Sequence, residues 1–88
     1  MTTQTKPKDE RETWCRPDGT LWAIVNYCHC VRHGRTTYYY RSGSVDEIVN
    51  YHNGKLHGRL IYYRSDGSVE AILNHRNGHR HGPQYFAW

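Results

Sequence analysis

His33, His57 and His81 stand 24 residues apart, each is followed by glycine, and arginines surround them. Such side chains can hold a metal ion, move a proton or bind an anion. Metal ligation is disfavoured by spacing. If each repeat supplies two strands about 4.8 Å apart, equivalent histidines lie roughly 10 Å from one another. Zinc–nitrogen bonds are about 2.0–2.1 Å, so one ion cannot bridge them. Cys28-His29-Cys30 with His33 is a tighter cluster, but Cys-x-Cys-x2-His is not a standard zinc spacing, and a hairpin turns both thiols away from His29. Nucleophilic catalysis has little support either. Cys28 or Cys30 with His33 can be drawn as a dyad, yet no oxyanion hole, paired carboxylate or phosphate-cradling loop accompanies it. No enzyme, metal or cofactor is expected.

Anion binding is the chemistry the pattern favours. Asp and Glu are absent between Gly19 and Val45, between Ile48 and Ser65, and after Glu70. The net charge is +4. Arg32, Arg35, Lys55, Arg59, Arg76 and Arg80 cluster about the His-Gly pairs, with His33, His57, His79 and His81. Asp18, Asp46, Asp66 and Glu70 fall at the other end of each repeat. A basic ridge of this kind suits an acidic protein surface, nucleic acid or anionic lipid. Solvated loop charge that keeps a thin sheet soluble is the competing account.

The elements that carry these residues follow from the period. Gly19, Gly43 and Gly67 repeat at 24, as do Gly34, Gly58 and Gly82. A fixed period in this range means one supersecondary unit stacked on copies of itself. Alternation identifies the unit as a hairpin. Leu21, Ala23, Val25 and Tyr27 face one way; so do Val45, Glu47, Val49 and Tyr51, and Val69, Ala71, Leu73 and His75. That face is the more apolar and is assigned to the core. Ile24, Ile48 and Ile72 repeat on the other face beside Asn26, Asn50 and Asn74, which implies partial cover there. Asn53-Gly54 and Asn77-Gly78 supply tight turns. The His-Gly pairs are read as turns leading into aromatic strands, and Ser65-Asp66-Gly67 returns the chain to the next repeat.

The expected architecture is all-β: a single-layer antiparallel meander of about seven short strands built from hairpin repeats. Strands are expected near 12–16, 20–28, 35–41, 44–52, 59–64, 68–76 and 83–87. A truncated repeat at 13–18 precedes repeats at 19–42, 43–66 and 67–88. Residues 1–10, polar and without periodicity, read as a disordered tail.

Tyr51-His52-Asn53-Gly54-Lys55-Leu56-His57-Gly58, followed by Tyr62-Tyr63 and Asp66-Gly67, resembles a MORN-variant repeat of the kind found in bacterial antitoxin-like repeat proteins. The resemblance extends over residues 13–88. It implies an elongated single-layer sheet with a non-enzymatic scaffold or binding role, in which Gly54, Gly58, Gly78 and Gly82 and Tyr51, Tyr62 and Tyr63 are structural. The first block departs from the motif: Cys28-His29-Cys30-Val31 stands where the second has His52-Asn53-Gly54-Lys55.

Arg35, Arg59, His33, His57 and His81 are therefore the candidate partner-binding residues, with Tyr39 and Tyr63 from the aromatic strands as possible anchors. Gly19, Gly43, Gly67, Gly34, Gly58, Gly82, Gly54 and Gly78 are the candidate turn residues. The expected role is antitoxin-like or inhibitor-like: occlusion of a protein partner with an acidic surface. Nucleic acid, a nucleotide or acidic lipid is the alternative ligand, and self-assembly through open sheet edges, with Trp88 as an anchor, is a third reading. An odd number of cysteines and no apolar leader suggest a cytoplasmic setting. No stretch is apolar enough for a transmembrane helix.

Overall fold

The computed structural model describes residues 9–86, which form one antiparallel sheet and no helix. Its strands are β1 (Asp9–Cys15), β2 (Leu21–Cys28), β3 (Val31–Tyr39), β4 (Val45–His52), β5 (Lys55–Tyr63), β6 (Val69–Arg76), β7 (His79–Arg80) and β8 (Tyr85–Phe86). They follow one another in meander order from β1 to β7, and β8 also pairs with β6. β7 and β8 are thus two pieces of a seventh strand broken at His81-Gly82-Pro83. Proline has no N–H for the ladder, and it stands where the earlier repeats have Arg35 and Arg59. β1 includes Asp9 and Glu10, which fall in the segment expected as a tail; residues 1–8 of that segment lie outside the described residues.

The sheet measures 57 × 37 × 15 Å, the thickness of one layer with side chains on both faces. Its core is a line of cross-strand partners. Val25 pairs with Thr36, Thr36 with Val49, Val49 with Leu60 and Leu60 with Leu73. Val25 and Thr36 are fully buried, as is Ala23, while Val49, Leu60 and Ala71 are nearly so. This is the face that alternation assigns to the core. A second line beside it runs Trp14, Ala23, Tyr38, Glu47, Tyr62, Ala71 and Phe86. Ala23 on β2 and Ala71 on β6 leave room for the rings of Trp14, Tyr38, Tyr62 and Phe86 beside them, so the aromatics supply the cover that a second layer gives in thicker domains.

The Gly19, Gly43 and Gly67 edge is built three times alike. The amide of Gly19 donates to the carbonyl of Arg16, Gly43 to Tyr40 and Gly67 to Arg64, each at 2.9 Å. Asp18 accepts from the amide and hydroxyl of Thr20, and Asp66 does the same with Ser68. These bonds hold the Asp18 carboxyl well below the usual carboxylate range and lower that of Asp66, the hydroxyl bond contributing most in each.

At the opposite edge the turns are His29-Cys30, Asn53-Gly54 and Asn77-Gly78, with φ positive at both residues of each. The first block keeps the tight turn although neither residue is Asn or Gly. Its φ values of 53° at His29 and 65° at Cys30 carry the steric cost that Asn-Gly avoids. The His-Gly pairs are not turns. Gly34 lies inside β3 and Gly58 inside β5, so these aromatic strands begin four residues earlier than expected, at Val31 and Lys55. Gly82 sits in the break between β7 and β8.

Candidate basic face and its histidine row

Gly34 and Gly58 mark bulges. Val25 pairs with Thr36 and Tyr27 with Arg32, so Asn26 alone faces His33, Gly34 and Arg35. Asn50 faces His57, Gly58 and Arg59 in the same way. The extra residues require a backbone conformation with positive φ, +87° at Gly34 and +91° at Gly58, which glycine adopts without cost. The asparagines then repair the ladder. Asn26 Nδ2 donates to the carbonyl of Arg35 at 2.6 Å, and Asn50 Nδ2 to that of Arg59 at 2.8 Å. Asn74 makes the equivalent bond to Pro83. The asparagine repeat is therefore structural.

This repair sets the basic residues in a row. Arg11 pairs with Asn26, Arg35 with Asn50 and Arg59 with Asn74. Partners across a ladder share a face. The order across the sheet is thus Arg11, Asn26, Arg35, Asn50, Arg59, Asn74, with arginines two strands apart, or roughly 10 Å. Arg35 and Arg59 are exposed, and among the described residues their guanidinium groups have no hydrogen bond or ion pair. By strand alternation Tyr39 and Tyr63 lie on this face too, in line with Arg35 and Arg59. Arginine row and tyrosine anchors, two separate candidate interfaces in the sequence, occupy one face.

A second row runs alongside, nearer the tight turns. The ring of His52 lies 4.9 Å from that of His33 and 5.6 Å from that of His57, centre to centre. His33 Nδ1 accepts from the amide of Asn53 at 3.2 Å, and His57 Nδ1 from that of Asn77 at 3.4 Å. Each bond ties a repeat to the turn of the next and leaves Nε2 as the protonated nitrogen of a neutral ring. His81 belongs to the broken seventh strand and carries no such link among the described residues; its amide donates to the carbonyl of Asn74. Among the described residues, no group of three or more His, Cys, Asp or Glu side chains is arranged to hold a metal ion.

One expected member of the basic edge and two of the acidic edge belong elsewhere. Arg32 is an odd number of residues from Arg35 and turns to the aromatic face. There its guanidinium lies 5.5 Å from the Trp14 ring centre and 5.4 Å from that of Tyr51, and it donates to the Tyr51 hydroxyl. Asp46 and Glu70 are strand residues rather than turn residues, each at a register shift beside Glu47 and Ala71. Burial, and then the charge of Asp46, push the Glu47 carboxyl up. Asp46 and Glu47 thus lie near Tyr62 of the aromatic face, which also holds Arg32, while Arg35 and Arg59 line the other face. Trp22 at the equivalent shift packs on Trp14 and Tyr38 and is 43% exposed.

With this geometry in place, comparison with known families is informative. Residues 32–53 match the family model described as MORN repeat variant. The chain thus carries a MORN repeat variant, and the matched stretch spans most of β3, the return turn and β4 through to Asn53. Among curated proteins and among solved structures, none matches the chain. A repeat module of this class has its usual place in binding.

Proposed function

We propose that the protein is a non-enzymatic binding module, antitoxin-like or inhibitor-like, that covers an acidic surface of a protein partner with its basic face. The observation that carries this reading is the row of exposed guanidinium groups at Arg35 and Arg59, without ionic partners among the described residues, on backbone held to the sheet by the Asn26 and Asn50 bridges. Tyr39 and Tyr63 on the same face add the partly buried rings that anchor interfaces. Repeated charges raise the association rate and set register more than they add affinity.

The test is capture by Arg35→Glu with Arg59→Glu, compared with wild type and with Tyr63→Ala. The double reversal is expected to weaken capture while the far-ultraviolet spectrum stays that of a sheet. A folded double-reversal protein that captures its partner fully would show the basic-face assignment to be wrong. Nucleic acid is the second reading, favoured by the same roughly 10 Å pitch of cations. It predicts affinity that falls steeply and linearly in log salt as counterions are released, whereas a tyrosine-anchored protein interface depends on salt much less.

A further inference from the structure

The break in the seventh strand leaves a cavity of about 620 Å³ at the end of the basic face, within the usual size range of small-molecule sites. Its walls come from β5, β6 and the His81–Tyr85 segment. At the position of Arg35 and Arg59 the broken seventh strand has Pro83, whose carbonyl still takes the Asn74 bond before Tyr85 rejoins the ladder at Ile72. Cations line one side. Arg59 pairs with Asn74, so Arg76, two residues further along β6 on the same face, is its diagonal neighbour. Neither guanidinium has an ion pair or hydrogen bond among the described residues. His57 stands beside them with Nδ1 occupied by Asn77, so its Nε2–H is left to donate. No carboxylate is in the lining.

The other side is different in kind. Ile72 and the ring of Tyr85 are direct cross-strand partners and present a flat apolar surface. Tyr85 is 53% exposed, although its equivalents Thr37 and Ile61 are covered on both sides by neighbouring strands. Two buried polar atoms in the lining residues, His75 Nδ1 and Gln84 Oε1, have no hydrogen-bond partner. Buried polar groups are almost always satisfied. Gln84 occupies the repeat position of Thr36 and Leu60, both core residues, so a polar side chain stands here where the packing of the other repeats calls for none.

We infer that this cavity binds a small organic phosphate with a flat ring, of nucleoside monophosphate size, its phosphate between Arg59 and Arg76 and its ring on Ile72 and Tyr85. Two adjacent guanidinium groups match a dianionic phosphate, and the flat apolar surface of Ile72 and Tyr85 beside them matches a ring. The site shares Arg59 with the partner reading, while Arg76 and Tyr85 lie outside the residues that reading needs, so variants at those two test the site separately.

The experiment is titration of the nitrogen-15-labelled full chain with adenosine monophosphate, inorganic phosphate and adenosine. Saturable shifts are expected at Arg59, Asn74, Arg76, Gln84 and Tyr85 with the monophosphate, and clearly weaker binding of the other two. Arg76→Gln and, separately, Tyr85→Ala are each expected to weaken monophosphate binding about tenfold, equivalent to about 1.4 kcal/mol, with other amide shifts unchanged. Equal affinity for inorganic phosphate overturns the assignment of an organic ligand. No saturable shift, or unchanged binding in a folded Arg76→Gln variant, overturns the site.

Discussion

The side-chain amide of Asn50 donates to the main-chain carbonyl of Arg59, 2.8 Å away, across a bulge that would otherwise leave the carbonyl without a ladder partner. One short polar side chain thus closes the backbone and aims an arginine at solvent. Removing it should loosen both. Asn50→Ala is expected to lower stability by about 1 kcal/mol, the usual net worth of one such bond, read as a lower urea midpoint at unchanged slope. The nitrogen-15 shifts of His57, Gly58 and Arg59 should move with it.

Thr36 offers the opposite sign. It is 0% exposed between Val25 and Val49, and its hydroxyl has no partner. Thr36→Val keeps the shape and removes the unsatisfied group. It should stabilise the sheet by about 1–2 kcal/mol, measured by urea unfolding. A destabilised variant would mean that the hydroxyl is satisfied in solution.

The pH dependence at Glu47 has a definite direction. Burial, then Asp46, raise its folded carboxyl above its unfolded value. The folded state therefore holds the proton more tightly, and ionisation costs stability as pH rises through the carboxylate range. Glu47→Gln should raise the melting temperature at pH 7. The gain should vanish below the unfolded glutamate pKa of about 4.3, where the wild-type side chain is also neutral.

The first hairpin turn should be improvable. His29 and Cys30 both adopt positive φ without being Asn or Gly. His29→Asn with Cys30→Gly gives the turn the pair found at 53–54 and 77–78, and should raise stability by about 1–2 kcal/mol. Calorimetry would show this as a higher melting temperature, and the Val31 cross-strand shifts should stay in place.

Much of this fold is legible in the chain. The 24-residue register locates both edges, and alternation at Ala23, Val25, Val49 and Ala71 picks out the buried line. The His-Gly pairs show where reading stops. A glycine with positive φ marks a turn and a bulge alike, and only the ladder tells them apart: Gly34 pairs with Tyr51 within a continuous strand. Arg32 and Arg35 look like one cluster in the sequence because they are near each other, but parity sends them to opposite faces. The cavity was not anticipated. Its signal is Pro83 at a position held by arginine in the other repeats, and a single proline does not say which way the chain will turn.

The same proline limits how copies of the chain can be joined. An open fibre grows only if each unit offers two complementary long edges. β1 offers a continuous strand of seven residues. The other end offers β7 and β8, two residues each, separated by a residue with no N–H to give. Among the described residues, an added strand therefore finds a continuous ladder at β1 and an interrupted one at β7 and β8.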